Sequence, residues 1–486
     1  MATFNKAARR EHTKEGETMN SVSELCTKTL TDVAGLVKRK EVSPVEVTAA
    51  VLERIERLDG ELHSYLTVAR DPALEQARRA EQEISKGNYR GSLHGIPLAV
   101  KDLIYTRDVR TTCASKILAD WVPDYNATVI EKLYEAGAVL LGKLTLTEFA
   151  GIGYHPTIQP ALNPWDPNRW TGSSSSGSGV ATAASLCFGS LGTDTGGSVR
   201  FPAAACGIVG MKPTYGKVSR YGVFPLAESL DHVGPMTRAV EDAAVLLRVI
   251  AGFDPNDPTS RREPVPDYRT NLKNGVRGIR IGVDWSYCSE RVDPEISKAI
   301  AAATRVLGDL GARIQEVKVS GTEEAIGAWG VIFTAECAAS HGATYPSRAA
   351  DYSSPFRAFL QESEKVRGVD YAKAHAARQK VSRMIDDLFQ TVDLLLCPTM
   401  GMVPMELNGA APEKLITPEI GHDLLSFTSP FSLSGNPTIS LPCGFHTDGL
   451  PLSLMIIGAH GQESLLIQAA YAYEQATPWH QRRPSM

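Results

Sequence analysis

Three stretches of this 486-residue chain combine residue types and spacings that could do chemistry. The first is Gly172-Ser-Ser-Ser-Ser-Gly-Ser-Gly179, four consecutive serines framed by glycines. Ser/Gly runs are commonly flexible linkers. This one leads straight into Val180-Ala-Thr-Ala-Ala184, a small-residue helical stretch, and then into Cys187 to Leu191, which reads as a strand. A Gly/Ser loop opening a helix presents backbone N–H groups at the positive end of the helix dipole, so phosphate binding is one option. The Gly-Lys-Ser/Thr ending of a Walker-type loop is absent. The second stretch, Thr193-Asp-Thr-Gly-Gly-Ser198, has the features of a nucleophile turn. Paired glycines let a reacting carbonyl approach the backbone closely. Consecutive N–H groups in such a turn can converge on one oxygen as an oxyanion hole. A serine at its end is a poor nucleophile without a base. No Gly-x-Ser-x-Gly elbow is present, which leaves a lysine as the base. The third stretch, Gly95-Ile-Pro-Leu-Ala-Val-Lys-Asp102, supplies one in Lys101. Burial of a lysine in an apolar strand pattern favours the neutral amine; the ordinary alternative is a strand-end lysine that snorkels to solvent.

Alternating helix and strand signals surround these stretches. Ser43-Pro44-Val45-Glu46 combines an N-cap, a proline at the first helical position and a capping-box glutamate. Val47, Val51, Ile55 and Leu58 then follow on one helical face. A second helix is expected from Asp71-Pro72 to Lys86, and a third from Asp293-Pro294. Strands are expected at Ile96–Leu103, Ala138–Leu141, Ile279–Val283, Ile314–Val319, Val392–Leu396 and Leu452–Ile457. This alternation predicts an α/β protein whose helices cover a largely buried sheet. The stretch Asp254–Asp267, dense in Pro, Asp and Asn, divides the chain near its middle and reads as a surface loop within one large domain. Residues 1–20 read as a disordered tail ahead of a domain over 21–486.

Composition excludes several classes. At 43% hydrophobic and 22% charged residues, the chain can build a core without disulfides or metal. A net charge of −5 gives no general pull toward nucleic acid or anionic membranes. The eight cysteines form no CxxC pair and read as buried reduced thiols of a cytoplasmic protein. The histidines show no zinc-binding spacing, so no metal site is expected. No apolar run reaches the roughly 18 residues of a membrane span, and the polar N-terminus is not a secretory signal.

Together with Cys206-Gly-Ile-Val-Gly-Met-Lys-Pro-Thr214, Leu396-Cys-Pro-Thr399 and Gly435-Asn-Pro-Thr-Ile-Ser-Leu-Pro-Cys-Gly444, the three stretches resemble the amidase signature family in order and spacing. The match is densest over residues 163–237. The resemblance implies a single α/β domain with a central mixed, twisted sheet covered by helices. It also implies a Ser–cis-Ser–Lys triad, with Ser198 as nucleophile and Lys101 as base. The family's bridging serine precedes the nucleophile by 24 positions, which selects Ser174 (198 − 24). Ser173 stands where the family's usual loop has glycine, so the cis peptide would join Ser173 to Ser174. The backbone N–H groups of Thr195, Gly196, Gly197 and Ser198 are the implied oxyanion hole. Ser175 would hydrogen-bond within the triad, while Asp194 and Arg200 would fix the loop as a buried ion pair.

The implied activity is hydrolysis of carboxylic amides through an acyl-enzyme, extending to carbamates and esters. No cofactor is expected. The expected partner is a small amide or carbamate substrate, not nucleic acid or membrane, with self-association as a homodimer left open. Phe149–Pro156 and Leu425–Leu433 are the expected pocket walls, suited to an aryl or alkyl amide rather than a charged substrate. Lys217-Val-Ser-Arg-Tyr-Gly222 resembles a different branch, the amidase-type subunit of a glutamyl-tRNA amidotransferase complex. The serine-rich loop and Phe201-Pro-Ala-Ala204 depart from that branch.

Overall fold

Local signals set the helices where the sequence places them. In the computed structural model, which describes residues 24–486, helix Pro44–Leu62 starts at Ser43. The Ser43 hydroxyl accepts from the Glu46 N–H, and the Glu46 carboxylate accepts from the Ser43 N–H. Val47, Val51 and Ile55 are buried along its inner face. Helix Arg70–Ser85 also lies within a residue of its expected bounds, and helix Pro294–Asp309 starts where Asp293-Pro294 predicts. The tail expected over residues 1–20 lies outside the described residues.

The strands, in chain order, are β1 (Tyr65–Val68), β2 (Pro97–Lys101), β3 (Val139–Leu144), β4 (Gly189–Asp194), β5 (Val209–Lys212), β6 (His232–Thr237), β7 (Arg280–Val283), β8 (Arg313–Glu316), β9 (Leu394–Pro398), β10 (Thr438–Phe445) and β11 (Pro451–Gly458). They form one mixed sheet in the order β1-β3-β2-β4-β6-β5-β10-β11-β9-β7-β8. Parallel pairing joins β3 to β2, β2 to β4, β9 to β7 and β7 to β8, and the other pairs are antiparallel. Most central strands are wholly buried, as apolar runs without alternation demand when helices cover both faces. Strand β5 precedes the Asp254–Asp267 loop and β10 follows it, yet they pair directly (Ile439 opposite Met211). The loop therefore interrupts no domain. Buried Asp254 and Asp257 tether it to the body, accepting from the Thr128 and Ser219 hydroxyls and from the Arg220 N–H.

Several strands end differently from expectation: β3 runs on to Leu144 rather than Leu141, β8 stops at Glu316 rather than Val319, and β9 covers Leu394–Pro398 rather than Val392–Leu396. Strand β2 stops at Lys101 rather than Leu103, because the N–H groups of Leu103 and Ile104 both turn back to the Lys101 carbonyl. Strand β4 starts at Gly189 rather than Cys187 and runs on to Asp194. As parallel neighbours with Ala99 opposite Ser190, β2 and β4 end side by side, and so bring Lys101 and Thr193 together. Ligands of α/β sheets characteristically bind at the carboxyl ends of strands.

Candidate active site

The serine run is a tightly packed joint, not a linker. Helix Ser176–Ala183 is buried along its whole length. A Cβ on Gly177 would lie 2.5 Å from the Ser64 carbonyl oxygen and the Thr145 nitrogen, so only glycine permits this approach. The helix thereby sinks against the sheet and sets Ser173–Ser175 above the ends of β2 and β4.

Lys101 is fully buried, and its Nζ donates to Ser174 Oγ at 2.7 Å and to Thr193 Oγ1 at 2.9 Å. Burial lowers its pKa to about 7, although the Asp231 and Asp194 carboxylates act in the opposite sense. The amine is therefore able to lose its proton near neutrality, unlike a solvent-exposed lysine. Thr193, the second partner, lies inside the motif read from the sequence but was not singled out there.

The expected cis bond is not found. The cis peptide among the described residues is Tyr345–Pro346, and Ser173–Ser174 is trans. A non-proline bond is ordinarily trans, the cis form costing about 3 kcal/mol. In this arrangement Ser174 Oγ lies on Lys101, while Ser173 Oγ lies 3.0 Å from Ser198 Oγ. The two contacts are separate, and no hydrogen bond joins Ser174 to Ser198 among the described residues. Ser175 also departs from expectation. Its side chain hydrogen-bonds to none of the three triad candidates; its Oγ donates to the Thr193 carbonyl and accepts from the Thr193 N–H. Ser175 thus clamps the end of β4 that holds Thr193 against Lys101.

Asp194 and Arg200 form the expected buried pair. Both are fully buried, with Arg200 Nη2 and Nε 2.8 and 2.9 Å from the two carboxylate oxygens. Burial alone would raise the Asp194 carboxyl, but the Arg200 guanidinium holds it well below the usual carboxylate range. The carboxylate also accepts from the N–H groups of Gly197 and Val199. This engagement corrects the oxyanion reading. The Gly197 N–H is occupied by Asp194 at 2.8 Å, and Gly197 does not line the adjacent cavity. Thr195, Gly196 and Ser198 do line it, and their N–H groups have no acceptor among the described residues.

Long-range contacts hold this turn. Trp329 Nε1 donates to the Thr195 carbonyl at 3.0 Å, Thr428 Oγ1 to the Gly196 carbonyl at 2.6 Å, and Thr195 Oγ1 to Asp231 at 2.6 Å. The paired glycines are needed for close packing. A Cβ on Gly196 would lie 2.4 Å from the Trp329 ring, and Gly197 adopts φ 137° against the Phe201 ring.

The cavity opening on Ser198 encloses about 420 Å³. Ala150–Tyr154 form one wall, as the sequence suggested. Phe149 instead packs in a buried aromatic cluster with Phe224, His341 and Phe356. From the second expected segment only Leu425 reaches the cavity; Phe431 and Leu433 are core residues. The remaining walls, among them Trp170, Phe201, Trp329, Phe333 and Glu413, were not foreseen. Trp329 and Phe333 lie on helix Thr322–His341, a stretch without a local chemical signal.

The Lys217–Gly222 motif has a structural task. Ser219 Oγ donates to Asp254, the Arg220 N–H donates to Asp257, and the Arg220 side chain caps the Glu228 carbonyl. These contacts pin the central loop. All eight cysteines are buried and unpaired. Among the described residues no helix is long and apolar enough to cross a membrane.

Known proteins resemble this chain along most of its length. The amidase family model matches residues 46–467. The chain is 45% identical over 458 residues to a protein of Mycobacterium tuberculosis described as "Putative amidase AmiD", covering 94% of this chain and 95% of that one. It is 41% identical over 481 residues to a subunit of the glutamyl-tRNA(Gln) amidotransferase of Moorella thermoacetica, covering 94% and 98%. The crystal structure of a bacterial aryl acylamidase of the amidase signature family superposes with a TM-score of 0.84 at 29% identity, over 93% of this chain and 97% of that one. The chain belongs to the amidase signature family and is a hydrolase acting on amide C–N bonds.

Proposed function

We propose that the protein is a stand-alone amidase in which Ser198 attacks the amide carbonyl and Lys101, acting through Ser174, is the base. The observation that carries this reading is the fully buried Lys101, hydrogen-bonded at 2.7 Å to Ser174, the chain neighbour of Ser173, which with Ser198 lines the cavity. Neutral Lys101 takes the Ser174 proton as Ser174 takes that of Ser198. The Ser198 oxygen bonds to the carbonyl carbon, and the oxyanion that forms is held by the N–H groups of Thr195, Gly196 and Ser198. Ser174 returns a proton to the leaving nitrogen, the C–N bond breaks, and water hydrolyses the Ser198 ester. Carbamates and esters fit the same scheme, since each offers a carbonyl and a leaving group that can be protonated.

The relay requires a Ser174–Ser198 hydrogen bond, a place that Ser173 holds in the described arrangement. Variants of the two serines decide which hydroxyl carries the proton. The primary experiment is turnover of amides, anilides, carbamates and esters by the purified single chain, beside Ser198→Ala.

A second reading, an amidase-type subunit of a glutamyl-tRNA amidotransferase complex, is favoured by the 41% identity to the Moorella amidotransferase chain. The Lys217–Gly222 motif adds no weight to it, because its contacts are internal. Co-purification with partner subunits, and no turnover by the single chain, would establish the second reading over the first.

A further inference from the structure

Amide hydrolysis does not require one feature of the cavity on Ser198. Its walls are aromatic and aliphatic, with Trp329 and Phe333 stacked at 4.8 Å between ring centroids. Among the described residues, Glu413 is the charged one in the lining, and no lysine, arginine or histidine faces it across the cavity. The residue is half-buried; its Oε2 is shut off from solvent and has no hydrogen-bond partner among the described residues. Its carboxyl is seated against the 151–154 wall, where a Cβ on Gly153 would fall 3.2 Å from Glu413 Cδ.

A carboxylate with an unpartnered oxygen and no counter-ion gains from a cation brought beside it. Aromatic faces also attract cations, so the walls and the carboxylate favour the same guest. A substrate carboxylate, by contrast, would meet Glu413 with no cation in the lining to hold it.

We propose that Glu413 selects amides that carry an ammonium group, and that the cavity receives such a group between its carboxylate and the aromatic walls. This rests on the reading of Ser198 as the amide-cleaving centre. It departs from the sequence expectation of an uncharged aryl or alkyl substrate, because Glu413 lies far along the chain from every chemical motif.

The test uses unbranched primary amides of four to eight carbons in three matched sets: unsubstituted, ω-amino and ω-carboxy. For wild type at pH 8, the best ω-amino amide should exceed its unsubstituted match at least tenfold in kcat/KM, and the ω-carboxy amide should be the poorest. Glu413→Gln should bring the amino-to-unsubstituted ratio to within threefold, and Glu413→Lys should invert the preference toward the carboxylate. Each ratio is taken within one protein, so a loss of folded or active material cancels. An unsubstituted amide cleaved as well as its ω-amino match, with the ratio unmoved in Glu413→Gln, would overturn the proposal. If wild type cleaves none of the amides, the hydrolase reading falls instead. Glu413 is then judged by binding of pentylammonium against 1-pentanol, followed by tryptophan fluorescence. Preference for the ammonium that disappears in Glu413→Gln supports the proposal, and equal binding overturns it.

Discussion

Ser198, Ser174 and Ser173 carry hydroxyls that the chain places within one small volume, and their variants separate by role. Ser198→Ala should keep the fold, judged by circular dichroism and melting temperature, and lose measurable amide turnover; retention of more than a few per cent of the rate would remove Ser198 as nucleophile. Ser174→Ala should lower kcat about 10²–10⁴-fold, the range of a lost proton-transfer group. Ser173→Gly should be mild. The reverse pattern, with Ser173 essential and Ser174 dispensable, would make the 3.0 Å Ser173–Ser198 contact the working one. The pH profile follows from Lys101. Burial lowers its pKa to about 7, and the base must be the neutral amine. The rate kcat/KM should therefore fall about tenfold per unit as pH drops below that value and level off above it. A profile flat from pH 5 to 9 would exclude Lys101 as the base.

Elements translate these roles into position. The parallel pair β2 and β4 sets Lys101 beside Thr193, and the Asp194–Arg200 ion pair locks the turn that follows. Removing one member of a buried pair leaves an unpaired charge and typically costs about 3–5 kcal/mol. Arg200→Met should accordingly lower stability by that order in urea unfolding and lose activity with it; a loss under 1 kcal/mol would mean the pair is not structural. A contrasting variant lies outside the cavity lining. Ser43→Ala removes one half of the capping box of helix Pro44–Leu62, worth about 1 kcal/mol, and should leave kcat/KM unchanged because that helix contributes no residue to the cavity lining.

For the whole molecule, one sheet carries strands from both sides of the Asp254–Asp267 loop, with β5 paired to β10. Neither half can satisfy its strand edges alone. Fragments ending and beginning in this loop should therefore fail to fold separately, and heating the intact chain should give one transition by calorimetry and by tryptophan fluorescence. Two resolved transitions would divide the chain into independent units after all.

What the sequence determined by itself was local or strongly patterned. The capping box at Ser43, the apolar runs of the buried strands, and the motifs bearing Lys101, Ser198 and the Asp194–Arg200 pair could be read because their signals lie within a few neighbouring residues. The family spacing likewise brought Ser174 to notice, and it does contact Lys101. The tertiary structure decided matters of direction and of distant partnership. It turned the Gly197 N–H onto Asp194 and the Ser175 hydroxyl onto Thr193, and it kept the Ser173–Ser174 bond trans. A residue's type does not state which way its peptide or hydroxyl points; the packed surroundings choose that direction. Trp329 and Glu413, more than a hundred residues beyond the nucleophile, reach its cavity because a long helix and a short turn fold back over the carboxyl ends of β2 and β4. Their placement is a property of chain crossings between remote segments, and no local pattern encodes it.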